Sequence, residues 1–259
     1  MNTPRKIALL ATGDEIINGD ILNTNTQLMA QALYQNDMHP GMQLTTDDEA
    51  ASIENAIRYL LEHHDALITI GGLGPTSDDR TRFALAKALD CPLVEDSASW
   101  EHVQIQLQGL GLNIPESNRQ QALFPQGATI YVNDNGTANG CYYAHKHHAI
   151  FMLPGPPKEC LSIFNEYVMP QLKELGFQFP KHKANWYLLG ASEGHIADLL
   201  EAAAKSTSVQ IGYRAFAPYL EIKLSAYDEK DFQRVHQSFS EIVAPYNTGL
   251  TSHISNFSG

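Results

Sequence analysis

Basic side chains are scarce: 17 Lys and Arg stand against 29 Asp and Glu in 259 residues, for a formal net charge of −12. That balance excludes a generic cationic surface for nucleic acid or anionic membrane, so any phosphate must be held locally. Cysteine is scarce too, with Cys91, Cys141 and Cys160 widely spaced. Such thiols make neither a disulfide framework nor a CxxC metal pair, and as small buried hydrophobes they suit a reducing compartment, the cytoplasm. Long apolar runs are missing. Behind Lys6 comes only a five-residue apolar stretch, too short for a signal-peptide core or a spanning helix, so no membrane partner is expected. What remains is a chain that is 43% hydrophobic, enough for one large domain or two ordinary ones, and two are expected.

The acidity is concentrated: 21 of the 29 acidic residues precede Leu175. There a helix-like stretch from Pro157 to Leu175 meets Gly176, a natural residue to follow a helix end, so the boundary is placed between residues 1–175 and 176–259. In the first part short apolar runs alternate with segments of helical period. Ile7 to Ala11 precedes Thr26 to Asn36, Met42 to Thr45 precedes Ser52 to His63, and Ala66 to Ile70 precedes Arg80 to Leu89. This βαβαβα pattern predicts a mostly parallel sheet covered on both faces, a three-layer α/β/α domain with its ligand at the strands' carboxyl ends. Gly140 to Ala144 and Ala149 to Leu153 read as a hairpin attached to that sheet. The second part reads as strand Asn185 to Leu189, helix Gly194 to Lys205 capped by Ser192, strands Val209 to Tyr213 and Tyr219 to Ala226, and helix Glu229 to Tyr246, a small α+β unit. The tail from Asn247 to Gly259 is expected to fray.

Chemistry concentrates behind the third strand, in Gly71-Gly72-Leu73-Gly74-Pro75-Thr76-Ser77-Asp78-Asp79-Arg80-Thr81. Glycines there free the backbone for close approach to a ligand and suggest a phosphate cradle; a tight turn with Asp78 or Asp79 as helix cap is the plainer reading. Charge separates the two. Like charges roughly 5 Å apart at an effective dielectric of about 20 repel by about 3 kcal/mol, so a phosphate beside two aspartates needs a cation between them. Mg²⁺ bound by one or two carboxylates plus phosphate oxygens suits that pair. The first strand ends in Thr12-Gly13-Asp14-Glu15, facing the same crevice, where Asp14 and Glu15 are candidate metal ligands or ribose acceptors. Asp47 and Asp48 follow the second strand, with helix capping slightly ahead.

Five segments in order then make the reading specific: Thr12-Gly13-Asp14-Glu15; Gly71 to Asp79 with Thr81; Asn118-Arg119-Gln120-Gln121-Ala122; Gly136-Thr137-Ala138-Asn139-Gly140; and Leu153-Pro154-Gly155-Pro156-Pro157 with Glu159. Together they resemble the competence/damage-inducible protein A (CinA) family from about Ile7 to Leu172. The resemblance implies a molybdopterin-binding, MogA/MoaB-like first domain. Residues Lys183 to Tyr246 are similar to the KH-like domain that follows in CinA proteins, with Gly190-Ala191-Ser192-Glu193-Gly194 in place of the family's turn. No GxxG loop precedes the strand at Val209, so this unit reads as structural or dimerising and no nucleic acid is expected as partner. Two departures stand out. Asn139 occupies a position where the family usually has Pro, and the sequence stops at Gly259 where many CinA proteins continue into a nicotinamide-mononucleotide amidohydrolase domain, so deamidation is not expected.

The activity the resemblance implies is hydrolysis of the pyrophosphate in ADP-ribose or a similar dinucleotide, dependent on a divalent metal (Mg²⁺, Mn²⁺ or Co²⁺) and sometimes on K⁺, in a homodimer. Beside Thr12, Gly13 and Gly71, the residues Gly72, Leu73, Gly74 and Thr76 are expected to donate to the diphosphate, while Asp78 and Asp79 hold the metal. Asp14, Glu15 or Asp47 is expected to orient the attacking water or the ribose hydroxyls. Arg119 and Lys158 are the cationic candidates for a second phosphate, with surface ion pairs as the alternative. Gly136, Thr137 and Gly155 are expected to line the nucleoside end. Rival readings use the same cleft: molybdopterin binding with adenylylation, or a nucleotide-binding regulator without turnover. His145-Lys146-His147-His148 reads as an exposed turn rather than a zinc site, and no GxSxG elbow supports acyl transfer.

Overall fold

The computed structural model describes residues 3–249, and the chain divides into two compact units between Phe179 and Pro180. The first runs β1 (Lys6–Thr12), α1 (Asp14–Ile17), α2 (Thr24–Gln35), β2 (His39–Thr46), α3 (Ala50–His63), β3 (Ala66–Ile70), α4 (Thr81–Leu89), β4 (Leu93–Glu95), α5 (Ser97–Gly109), a 3₁₀ helix (Glu116–Ala122), β5 (Leu123–Pro125), β6 (Thr129–Tyr131), β7 (Gly140–His145), β8 (His148–Leu153), α6 (Pro157–Ile163), a π turn (Phe164–Val168) and α7 (Met169–Glu174).

Its six-stranded sheet has the order β2-β1-β3-β8-β7-β6, in which β7 alone runs against the rest. All five residues of β3 are buried, as a strand must be when helices cover both faces of its sheet. One core packs α2, α6 and α7 on one face; the other packs α3 and α4 on the opposite face. Strand order therefore reverses between β1 and β3, and that switch point opens a crevice at the strands' carboxyl ends. Side chains fix the helix starts: Asn23 accepts from the Thr26 N–H ahead of α2 (3.3 Å) and Asp96 from the Ser99 N–H ahead of α5 (2.7 Å).

The division lies four residues beyond the boundary read from sequence. Gly176 does end α7, at φ +75°, but the chain turns back there: the Gly176 N–H donates to Lys173 O and the Phe177 N–H to Leu172 O, both at 3.0 Å. That turn drives the Phe177 ring into the first core, where it is fully buried.

The second unit runs β9 (His182–Leu189), α8 (Glu193–Ala204), β10 (Gln210–Phe216), β11 (Tyr219–Ala226) and α9 (Glu229–Val243). Its antiparallel sheet, ordered β10-β11-β9, packs with both helices around Leu188, Ile196, Ile222 and Phe239. Ser192 stands at the N-cap of α8 but its side chain makes no capping bond; the capping side chain of this unit is Asp228, which accepts from the Asp231 N–H of α9 (2.8 Å). The tail from residue 250 onward lies outside the described residues. No helix among the described residues is long and apolar enough to cross a membrane.

Candidate functional site

Register sets the site. Thr12 of β1 pairs with Thr46 of β2, and the neighbouring Ala11 pairs with Ile70 of β3, which in turn meets Leu153 of β8. The four carboxyl ends thus form one rim, and the residues just past them border a cleft of about 530 Å³. The glycines there answer to sterics. Gly71 sits at φ +98°, and a Cβ on it would stand 2.8 Å from Thr12 O; Gly72 sits at φ +66°, where a Cβ would collide with the Thr81 side chain. Only glycine lets the loop lie this close to β1.

The rest of that loop is held by its own neighbours. Asp79 accepts the Gly74 N–H on Oδ1 (2.7 Å), and the Thr76 N–H (2.9 Å) and hydroxyl (2.5 Å) on Oδ2. Gln120 Nε2 donates to Gly74 O (2.9 Å) and Thr76 O (3.1 Å). Arg82, fully buried beneath the loop, donates to Leu73 O and Gln120 O, and burial pushes its pKa down to about 10. This corrects the expectation for the donors: the N–H groups of Gly74 and Thr76 close on Asp79. The two aspartates also part ways, since Asp79 staples the loop while Asp78 is exposed at the cleft. The polar side chain of Thr76 nearby, then the aspartate's own N–H and the charge of Arg80, hold the Asp78 carboxyl below its ordinary range. Neither aspartate caps α4, whose N-cap is Arg80.

An acidic wall faces this loop. The Asp14 N–H donates to Asp48 Oδ2 (3.0 Å) and the Asp48 N–H to Asp14 Oδ1 (3.3 Å). Burial pushes the Asp48 carboxyl up, the Asp14 N–H opposes it, and the charges of Asp14, Glu15 and Asp78 push it further up. Asp48 and Glu15 line the cleft. Asp47, the expected candidate, instead accepts the Glu49 N–H (3.2 Å) within its own turn; one residue along the chain reverses the side chain's direction.

On the far wall Thr137 lines the cleft and gives its hydroxyl to Gln121 Oε1 (2.7 Å). Glu159, which sequence reasoning quoted only as part of a motif, lines it too. It is half-buried, accepts from Asn133 Nδ2 (2.6 Å), and burial pushes its carboxyl up. Gly136 lies behind it, where a Cβ would collide with the Glu159 carboxylate. Gly155 lines the cleft and accepts from Asn25 Nδ2 (2.8 Å). Asn139 knits its loop together, accepting from the Asn133 N–H (2.9 Å) and donating to Ser99 Oγ (3.0 Å). The two expected cations are elsewhere. Arg119 grips Glu95 through Nε (2.5 Å) and Nη2 (3.0 Å) away from the lining, and Lys158 is exposed outside it. Among the described residues the lining therefore holds Glu15, Asp48, Asp78, Asp79 and Glu159, and no Lys, Arg or His. Among the described residues no three His, Cys, Asp or Glu side chains converge as a metal cluster.

Comparison with known proteins places this architecture. Residues 8–174 match the family model described as "Probable molybdopterin binding domain". A CinA-like protein of Shewanella loihica is 31% identical over 96% of this chain and 59% of its own length. A relative from Clostridium acetobutylicum, described as competence-damage inducible, is 34% identical over 65% of this chain and 41% of its own length. The chain thus spans roughly two to three fifths of such relatives. Among solved structures, a CinA protein of unknown function from Thermoplasma acidophilum superposes with a TM-score of 0.58 at 26% identity, covering 65% of this chain and 97% of that one. A first unit with the molybdopterin-binding fold, followed by a small antiparallel α+β unit, makes this chain a member of the CinA family.

Proposed function

We propose that the first unit hydrolyses the diphosphate bond of ADP-ribose or a closely similar nucleotide, using Mg²⁺, Mn²⁺ or Co²⁺. The observation that carries this reading is a cleft at the switch point lined, among the described residues, by five carboxylates and no basic side chain. Such a lining repels a bare diphosphate and accepts one bridged by a cation. The donors fit a hard ion: Asp78, exposed at the cleft, offers carboxylate oxygens that would hold it. The ion's remaining ligands would be phosphate oxygens and water, the habit of Mg²⁺. When bound, the ion supplies charge neutralisation at the leaving phosphate and acidifies a coordinated water.

The chain's own groups do the rest. Asp79 keeps the loop in shape, Asp78 stays ionised, and Asp48, harder to ionise than an ordinary carboxyl, is the group suited to take a proton from the attacking water. Glu159 stands ready on the far wall as a second acid–base group.

The test is release of AMP and ribose 5-phosphate from ADP-ribose by wild type and Asp48→Asn, which retains the acceptor for the Asp14 N–H. Turnover is expected only with a divalent ion, and about 10²–10³-fold slower in the variant. Metal-independent turnover, or a variant as fast as wild type, defeats the assignment. The family match favours one other reading, binding and adenylylation of a molybdopterin in the same cleft. A pterin that displaces ADP-ribose while ADP-ribose itself is left intact decides for it; tight nucleotide binding without product across metals marks a regulator.

A further inference from the structure

The second phosphate of a nucleotide diphosphate has no basic side chain to meet in this cleft. An ion held at Asp78 answers one phosphate, while Arg119 and Lys158, the cations expected for the other, stand outside the lining. A carboxyl group that carries its proton can take their place, since an O–H donating to a phosphate oxygen makes a short, charge-assisted bond. Of the five lining carboxyls, Asp79 is spent on its own loop, Asp78 is held ionised and Glu15 is exposed to solvent. A cation bound at Asp78 favours the charged form of the neighbouring Asp48. Glu159 is left.

Its setting fixes which oxygen can donate. Oε2 accepts from Asn133 Nδ2 (2.6 Å), and that fully buried amide is itself pinned, donating to Ala138 O (2.9 Å) and accepting the Asn135 N–H (3.0 Å). The proton therefore belongs on Oε1. Among the described residues Oε1 has no hydrogen-bond partner, yet it is not sealed: the buried, unpartnered oxygens of this unit are those of Asn25 and Tyr131. Solvent thus reaches Oε1 on a side chain that lines the cleft. Gly136 keeps the space open, since a Cβ there would collide with both carboxylate oxygens. The surrounding elements carry Lys158 and Cys160 on α6, Asp134 in the Asn133 loop, and His102 of α5, whose Nε2 donates to Gly136 O (3.0 Å). Burial, opposed by the Asn133 N–H, sets the carboxyl upward.

We propose that Glu159, with a proton on Oε1, donates a hydrogen bond to the ligand's second phosphate, so that the cleft takes up a proton as it takes up the nucleotide. The inference rests on the nucleotide reading above and adds how pH regulates that site. By linkage, the bound anion strengthens proton binding as much as the proton strengthens anion binding. Affinity is full below the pKa of Glu159 in the free cleft and declines above it by up to about tenfold per pH unit, until the bound group also loses its proton.

Calorimetric titration tests this with the α,β-methylene analogue of ADP-ribose, which resists hydrolysis at that bridge, in saturating Mg²⁺ across pH and in buffers of different ionisation enthalpy. Wild type is expected to take up a proton on binding and to lose affinity as pH rises. Glu159→Gln, whose amide donates without titrating, is expected to take up none and to bind equally at every pH. Glu159→Ala removes the charge without supplying a donor and is expected to bind about tenfold more weakly than Glu159→Gln. Melting checks that each variant is folded; Glu159→Met, of similar length and without a donor, replaces an unfolded alanine variant. Proton uptake that persists in Glu159→Gln overturns the proposal, as does pH-independent binding by wild type. Equal affinity of the alanine and glutamine variants overturns it too, by assigning the effect to relieved repulsion, and so does net proton release, by assigning Glu159 to the metal. Proton-linked binding without cleavage of ADP-ribose sinks the hydrolase reading alone, and cleavage with pH-independent binding sinks this inference alone. A wild type that binds no analogue sinks both.

Discussion

Two segments leave neighbouring strands for the same cleft and treat their polar groups in opposite ways. The loop from Gly71 to Asp79 is closed upon itself: Asp79 takes its inward N–H groups, while Gln120 and Arg82 take its carbonyls. The segment from Gly13 to Asn25 leaves capacity unused, with Glu15 facing the cleft, Asn25 Oδ1 unpaired and Leu22 in solvent. The conspicuous glycine-and-aspartate signature thus builds a closed frame, and the less conspicuous segment leaves polar capacity unmet. Preorganised sites need both, a framework that does not move and groups that are left wanting.

The sharpest way to break this contrast is to cut the frame from below. Arg82→Leu leaves the carbonyls of Leu73 and Gln120 without their buried donor, and is expected to lower the unfolding free energy by about 3 kcal/mol in urea titrations. A loss below about 1 kcal/mol would mean the loop holds its shape without the guanidinium.

The acidic wall offers a test of opposite sign. Burial holds the carboxyls of Asp48 and Glu159 above their ordinary range, so the unfolded chain gives up these protons first as pH rises. The fold therefore loses stability between the unfolded and folded pKa and remains less stable above both. Asp48→Asn and Glu159→Gln remove that loss and are expected to raise Tm by about 1–3 °C at pH 7, the gain shrinking to nothing as pH falls toward about 4. Thermal scans across pH check it; a gain that persists in acid would point to repacking instead.

Smallest is the effect of Arg119→Ala. Its ion pair with Glu95 is on the surface, so stability should change by less than about 1 kcal/mol. ADP-ribose affinity should not change at all, and a clear loss would bring Arg119 back to the site.

How far the sequence could be read follows from the same contrast. Ile7 to Ala11 and Ala66 to Ile70 are legible as strands because burial on both faces leaves unbroken apolar runs, and Gly71 and Gly72 are legible because only glycine fits there. β4, β5 and β6 have three residues each, too few to show a period, and in α5 the run Val103 to Gln108 alternates apolar residues with Gln, the period of a strand rather than of the helix that forms. Asp47 and Asp48 are adjacent acids whose fates differ by a side-chain direction that composition does not carry. Asp79 reads as a metal ligand until its acceptors are seen closing on Gly74 and Thr76. The partner of Asn25 lies 130 residues away, and its unpaired oxygen is a fact of packing that no local motif announces.

A cleft whose ionisable lining is wholly acidic also acts as a filter at its mouth. At physiological ionic strength its field reaches about 8 Å into solvent before counter-ions damp it. An anionic nucleotide arriving bare is turned away over that distance, whereas one whose phosphates already carry a cation approaches nearly neutral. On the nucleotide reading proposed above, the rim would sort ligands by their ionic escort before any hydrogen bond forms.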